Sequence, residues 1–139
     1  MYQKDFILRI IEMIAEFIGR VLGLIKDGKY EEASEELNVA YEKFLKDNNN
    51  KIRSCSDKEL VSLLVEQLEF GVDEMEGLAN LIYTEGELHA AQNKHAEAKS
   101  SYYKSLLLYT YVENNSKTFS FPRQQKLTEL KEKLDNYNS

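Results

Sequence analysis

One helix–turn–helix pattern occurs twice in this chain, and it restricts the possible folds more than any other feature. The first copy spans residues 17–45 and turns at residues 28–33, and the second spans residues 82–109 and turns at residues 93–98. On both sides of each turn, apolar residues recur every three or four positions, which is the period of an amphipathic helix. We therefore predict an all-α fold built from antiparallel helix pairs.

The composition agrees with a small helical fold. A chain of 139 residues has the usual length of one domain, and we predict that residues 1–139 form a single domain. One proline and six glycines are too few turn residues for a fold of many short strands. The net charge of −6 argues against a nucleic-acid partner, because a phosphate backbone would be repelled.

About six helices follow from the apolar spacing and the turn residues. They are expected at about residues 3–26, 30–46, from 56 to a break at Gly71, 73–92, 95–113 and 122–137. Gly28 should end the first helix, since glycine adopts the left-handed conformation without steric cost. Ser56 and Glu59 have the spacing of a capping box, which should start the third helix.

The first helix is apolar over most of its circumference, because its charged residues from Arg9 to Arg20 form one narrow stripe. A helix of this kind is usually central in a core or covered by another chain. The charges argue against a membrane-spanning segment, and the stripe is not basic enough to favour a membrane surface. Gly19 and Gly23 would allow another helix of the same chain to pack closely.

The repeated stretch resembles tetratricopeptide repeats, in which glycine, alanine and aromatic residues occupy fixed positions of each helix pair. Gly86, Ala98 and Tyr102 match those positions in the second copy, and Phe17 and Ala40 match in the first. The whole chain is also similar to small uncharacterised bacterial proteins with such repeats.

Two features of the pattern depart from the family or extend it. Val21 stands where the first copy should have its glycine. The turn alanines Ala33 and Ala98 lie 65 residues apart, about twice the family's period. That distance leaves room for one degenerate unit, formed by the third helix and the start of the fourth.

The resemblance implies a concave surface, formed by the first helix of each pair, on which tetratricopeptide proteins bind peptides. Its residues here would be Ala15, Ile18, Leu22 and Ile25 in the first copy and Asn80, Tyr83, Glu87 and Ala91 in the second. The family's basic clamp for a C-terminal carboxylate is missing from these positions. We expect Ile18, Leu22 and Ile25 to form a self-association site or apolar groove, and Asn80, Tyr83 and Glu87 to contact a protein partner.

Few residues suggest catalysis or metal binding. Glu85 and His89 are one helical turn apart and Glu87 is near, but a zinc site needs three or four ligands. His89 and His95 occupy positions where the repeat pattern has aromatic packing residues. Phosphate-binding loops and nucleophile motifs are missing from the sequence. We predict no enzymatic activity, cofactor or metal.

The cysteine content and the N-terminal residues favour a cytoplasmic location. Cys55 is the only cysteine and cannot form an intrachain disulfide. Residues 1–5 lack the pattern of a signal peptide.

These observations lead to three hypotheses about function. The first is a non-enzymatic interaction or scaffold module, a homodimer that self-associates through its first helix. The second is a module that binds an apolar peptide or small ligand in the same groove. The third and least favoured is a metal-dependent enzyme that uses Glu85, Glu87 and His89.

Overall fold

The chain folds into α-helices joined by short turns, which confirms the predicted all-α class. The structure, a computed structural model, describes residues 4–138, with side chains from residue 6 onward. The helices are α1 (Lys4–Lys26), α2 (Tyr30–Leu45), α3 (Asn49–Arg53), α4 (Asp57–Ser62), α5 (Val72–Ala91), α6 (His95–Asn115) and α7 (Phe121–Asn138). A 3₁₀ turn (Lys46–Asn48) precedes α3, and a π-helical turn (Leu63–Gln67) continues α4. The expected start of α1 at residue 3 lies outside the described residues.

The α1–α2 and α5–α6 hairpins are closed by the same backbone turn. The second residue after each first helix is left-handed, with φ of 75° at Gly28 and 61° at Asn93. The N–H of that residue donates to the carbonyl three residues earlier, and the next N–H donates to the carbonyl five residues earlier, at 2.8–3.0 Å. This is a common helix C-cap, in which glycine or asparagine takes the left-handed position. The two copies therefore share a turn geometry as well as a sequence pattern.

The central helix of the fold is α5, whereas α1 lies at its edge. α5 packs along α6 on one side and contacts both α1 and α2 on the other. Residues 77–79 and 81–84 of α5 are all buried. In α1, Ile14, Phe17 and Val21 are buried against the rest of the chain. The sequence suggests that so apolar a first helix is either central in the core or covered by another chain. The prediction of a central position is therefore wrong.

The prediction that another helix packs closely at Gly19 and Gly23 is also wrong. Both glycines are exposed, and no atom lies within 4 Å of a Cβ built on either one. The larger apolar residues on the opposite side of α1 pack into the core, so the small residues face outward. Close helix contacts occur instead at Gly77 and Gly86 of α5.

The segment between the two hairpins departs from the sequence expectations. Ser56 precedes α4, but its side chain makes no capping hydrogen bond. The backbone N–H of Gly71 instead donates to Glu74 Oε1 at 3.1 Å and so caps α5. Because α5 runs without a break from residue 72 to residue 91, the degenerate middle unit has no second helix of its own.

α7 is held on the other helices by a buried arginine that the sequence analysis did not identify. Arg123 is only 4% exposed. Its Nε donates to Glu113 Oε1 of α6 at 2.8 Å, and its Nη2 donates to the carbonyl of Thr118 at 2.8 Å. Its Nη1 lies 3.6 Å from Glu76 Oε2 of α5. These contacts fix the start of α7 and place its next turn beside α5.

Candidate interaction groove

An open groove runs between α1 and α5, with α7 at one rim. We refer to it as the α1–α5 groove. Its volume is about 260 Å³. Its lining residues are Ile11, Ile14, Ala15, Ile18 and Leu22 of α1, Gly77, Asn80, Tyr83 and Thr84 of α5, and Lys126 of α7. The groove therefore brings together Ile18 and Leu22 with Asn80 and Tyr83, two pairs for which the sequence predicts different contacts.

The floor of the groove is shallow because α1 and α5 cross closely at Gly77. A Cβ built on Gly77 would lie 3.3 Å from Ile14 Cδ1, so the two helices leave no space below that point. The outer wall is apolar and open to solvent. Leu22 is 44% exposed, and Ala15 is exposed as well. The groove thus has the shape to receive an apolar side-chain row or a helix.

The α5 wall of the groove includes Tyr83, whose hydroxyl is held by a hydrogen bond. This hydroxyl donates to Glu129 Oε2 at 3.0 Å, and Lys126 Nζ lies 3.8 Å from the centre of the Tyr83 ring. Burial raises the pKa of Tyr83, and the carboxylates of Glu87 and Glu129 raise it further. Tyr83 therefore remains a neutral hydrogen-bond donor at physiological pH, held in place by α7.

Asn80 is anchored in the same way, by a residue of α6. Its Oδ1 accepts a hydrogen bond from the Tyr109 hydroxyl. Burial raises the pKa of Tyr109, so this donor also stays protonated. Asn80 and Tyr83 therefore form a wall of defined side-chain positions.

Ile25 and Glu87 do not line the groove. Ile25 is half-buried against the core near the end of α1. Glu87 Oε1 lies 3.3 Å from Lys133 Nζ of α7, so it belongs to the α5–α7 contact. Ile11 and Lys126, which the sequence analysis did not single out, do line it. The spacing of apolar residues in α1 could have identified Ile11, whereas no local signal marks Lys126.

The residues considered for metal binding do not converge on one site, because Glu87 faces away from Glu85 and His89. Glu85 accepts hydrogen bonds from Tyr41 Oη at 2.9 Å and from Arg53 Nη2 at 3.0 Å. His89 Nε2 lies 3.9 Å from the same carboxylate, while Glu87 pairs with α7. Across residues 4–138 there is no group of three His, Cys, Asp or Glu side chains suited to a metal ion.

A second cavity, which the sequence does not predict, lies near the start of α1. It has a volume of about 240 Å³, and Phe6, Phe44 and Phe70 are among its lining residues. Lys46 and Glu69 at its edge have positive φ values of 52° and 56°. Its rim combines these two residues with further acidic side chains, so it shows no single charge preference.

Comparisons with known proteins do not assign the chain to a family. No family model, no curated protein and no solved structure matches it. Within residues 4–138, no helix combines the length and the hydrophobicity of a membrane-spanning segment. What is established is thus an all-α protein with an open groove between α1 and α5.

Proposed function

We propose that this protein is a non-enzymatic interaction module that self-associates through α1. The observation that carries the proposal is an apolar row along one side of α1, which we name the α1 strip. It consists of Leu8, Ile11, Ala15, Ile18, Leu22 and Ile25.

The strip borders the α1–α5 groove and remains partly open to solvent. Leu8 is 43% exposed and Leu22 is 44% exposed. A contiguous apolar surface of this kind is typical of an association site. Covering the strip and the groove with another chain would remove both from water.

The tetratricopeptide-like character of the two hairpins is part of the same proposal. The matching backbone turns support it, and so does the close approach of Gly86 to the Tyr102 ring, since small residues mark helix crossings in such repeats. We further propose a cytoplasmic protein without a nucleic-acid or membrane partner. The single cysteine and the acidic net charge support this part.

The test is the molar mass in solution, measured by size-exclusion chromatography with light scattering. The wild-type chain should be a dimer. Ile18→Asp and Leu22→Glu should each give a folded monomer, because a charge in the interface would lose its hydration without gaining a partner. Leu22→Glu is the cleaner variant, since Leu22 is already partly exposed.

Val39→Glu is the matched control for Leu22→Glu. Val39 lies on α2 and is 39% exposed, so the substitution adds a charge at similar exposure but away from the α1 strip. It should leave the mass unchanged. A monomeric wild-type chain, or a Leu22→Glu variant that remains a dimer, would refute self-association through α1.

A second candidate function is the binding of an apolar peptide or small ligand in the same groove. The fixed polar wall formed by Asn80 and Tyr83 favours it, because ligand sites combine apolar surface with a few placed polar groups. This function requires a monomer whose melting temperature rises with ligand concentration. A metal-dependent enzyme has less support, since Glu87 faces away from Glu85 and His89. Elemental analysis that found a stoichiometric metal ion would revive it.

A further inference from the structure

We infer that the occupant of the α1–α5 groove is α1 of a second copy, running antiparallel to the first. The inference rests on the proposed self-association and specifies its geometry. The six residues of the α1 strip alternate spacings of three and four along the chain. That is the spacing of the a and d positions in a coiled coil, where two helices pack side by side. The a positions are Leu8, Ala15 and Leu22, and the d positions are Ile11, Ile18 and Ile25.

The strip matches a reversed copy of itself along its whole length. In an antiparallel pair, each a position of one helix faces a d position of the other. Leu8 would then face Ile25 of the second copy, Ile11 would face Leu22, and Ala15 would face Ile18. In each layer the two residue numbers add up to 33, so every residue of the α1 strip has a partner in the second copy. Ala15 lies next to the two-fold axis, where a small residue lets the helices approach.

Charge decides between the antiparallel and parallel arrangements. Glu12 and Lys26 lie on the same flank of the strip, at e positions, and both are exposed. In an antiparallel pair, e positions lie opposite e positions of the second copy. Because helical side chains lean toward their own N-terminus, Glu12 and Lys26 of the second copy would lean toward each other. The two-fold axis makes this opposite-charge pair occur twice.

A parallel pair would place Glu12 and Lys26 next to apolar residues of the second copy. There, e positions face g positions, which in this helix include Ile14 and Val21. Both residues are buried, and Ile14 lies at the floor of the groove. Glu12 and Lys26 would therefore be moved toward an apolar surface, which costs free energy for an unpaired charge. The antiparallel pair keeps them at the solvent rim.

The rest of the groove accommodates this arrangement. In the antiparallel pair, both α5 helices lie on the same side of the two α1 helices. The wall formed by Asn80 and Tyr83 would then contact the strip of the second copy. Gly19 lies on the flank away from α5, between Glu12 and Lys26, and it has no side chain that would keep the two α1 helices apart.

Charge reversal tests the register. Glu12→Lys and Lys26→Glu should each raise the dissociation constant of the dimer about threefold to tenfold, since each replaces two attractive pairs with two repulsive ones. The double variant should return the dissociation constant to within about twofold of wild type. Sedimentation velocity over a dilution series measures all four proteins.

The outcomes separate the proposed self-association from the proposed antiparallel register. A monomeric wild-type chain would refute the self-association and the register together. A dimer that Leu22→Glu dissociates, but whose double charge variant is weaker than either single variant, would overturn the antiparallel register alone.

Disulfide trapping gives an independent test in a Cys55→Ser background, which removes the only native cysteine. In the antiparallel pair, Leu8 and its own counterpart would be about 25 Å apart along the axis, given a rise of about 1.5 Å per residue. A disulfide needs Cα atoms within about 7 Å.

A mixture of the Leu8→Cys and Ile25→Cys proteins should therefore form a cross-linked heterodimer under mild oxidation. Leu8→Cys alone should remain uncross-linked. Mass spectrometry of the non-reduced proteins identifies the products. Cross-linking of Leu8→Cys to itself, or its failure to cross-link with Ile25→Cys, would overturn the antiparallel register.

Discussion

Adding one methyl group at Gly86 should destabilise this protein, although the same change usually stabilises a helix. A Cβ built on Gly86 would lie 2.7 Å from Tyr102 Cε1 and 2.8 Å from Cδ1, closer than non-bonded carbon atoms approach. The Tyr102 ring cannot easily yield. It is 1% exposed, and its centre lies 5.7 Å from the Tyr83 ring and 6.1 Å from the Tyr137 ring. Gly86→Ala must therefore move a packed aromatic cluster or separate α5 from α6.

The size of the effect follows from two opposing contributions. Replacing a glycine by alanine inside a helix stabilises it by about 1 kcal/mol, because glycine loses more backbone entropy on folding. Forcing an extra methyl group into a packed core costs about 1–3 kcal/mol. The two contributions partly cancel, which leaves a net loss of at most about 2 kcal/mol in Gly86→Ala, so a matched control is needed to measure the clash itself.

Gly77→Ala supplies the matched control on the same helix. Gly77 is also buried, but a Cβ there would meet only Ile14 Cδ1 at 3.3 Å, the end of a flexible side chain, and the Phe44 ring at 3.7 Å or more. Both variants gain the same helix propensity. Their difference therefore isolates the clash, and Gly86→Ala should be less stable than Gly77→Ala by about 1–3 kcal/mol.

Urea unfolding followed by far-ultraviolet circular dichroism measures both free energies of unfolding. The comparison is best made in a Leu22→Glu background, because dimerisation would make the measured stability depend on protein concentration. If Gly86→Ala were as stable as Gly77→Ala, or more stable, the close contact between α5 and α6 would be refuted.

A double variant checks the cause of the destabilisation. Tyr102→Leu removes the ring that meets the new methyl group. Adding Gly86→Ala to Tyr102→Leu should therefore cost less than adding it to the wild-type protein. Equal costs in both backgrounds would show that the ring is not responsible.

Two further predictions concern buried polar groups. Burial raises the pKa of several tyrosines, so the folded protein keeps protons that the unfolded chain has already released; these are Tyr41, Tyr83, Tyr102 and Tyr109. The raised pKa values add to the free energy of unfolding. This contribution is fully present below about pH 10, and above it falls by about 1.4 kcal/mol per pH unit for each such tyrosine. The ultraviolet absorbance of tyrosinate should show them titrating together with unfolding, and normal titration of all nine tyrosines in the folded protein would contradict this. His89→Phe should preserve or raise the free energy of unfolding, because the buried His89 Nδ1 has no hydrogen-bond partner within the described part of the chain. A loss above about 1 kcal/mol in urea unfolding would show that the histidine makes a contact that phenylalanine cannot replace.

The sequence was sufficient for the local structure. The ends of the long helices lie within about two residues of the expected positions, as is usual for strongly periodic segments. The left-handed turn at Gly28 also follows from the sequence, since it depends on the residue itself. The divergence of Glu85 and Glu87 could have been predicted as well, because residues two apart in a helix point to nearly opposite sides.

The sequence could not determine which helices are neighbours. α1 and α5 are both rich in apolar residues, and their periodicity does not show that α5 is central and α1 peripheral. The groove depends on the same choice, since Ile18 and Leu22 meet Asn80 and Tyr83 only because α1 packs beside α5. The prediction of close helix packing at Gly19 and Gly23 failed for the same reason, because the sequence does not show which side of α1 faces another helix.

Helix formation depends on residues three or four positions apart, so the amino-acid sequence by itself determined the helices, their turns and the apolar spacing of the α1 strip. The position of that strip depends on contacts between distant residues. The Tyr83–Glu129 hydrogen bond joins positions 46 residues apart, and Arg123 links α7 to α5 and α6. Only the tertiary structure decided that α7 reaches one rim of the groove and leaves the strip beside it open, because the choice of neighbouring helices depends on the apolar surface buried over the whole chain.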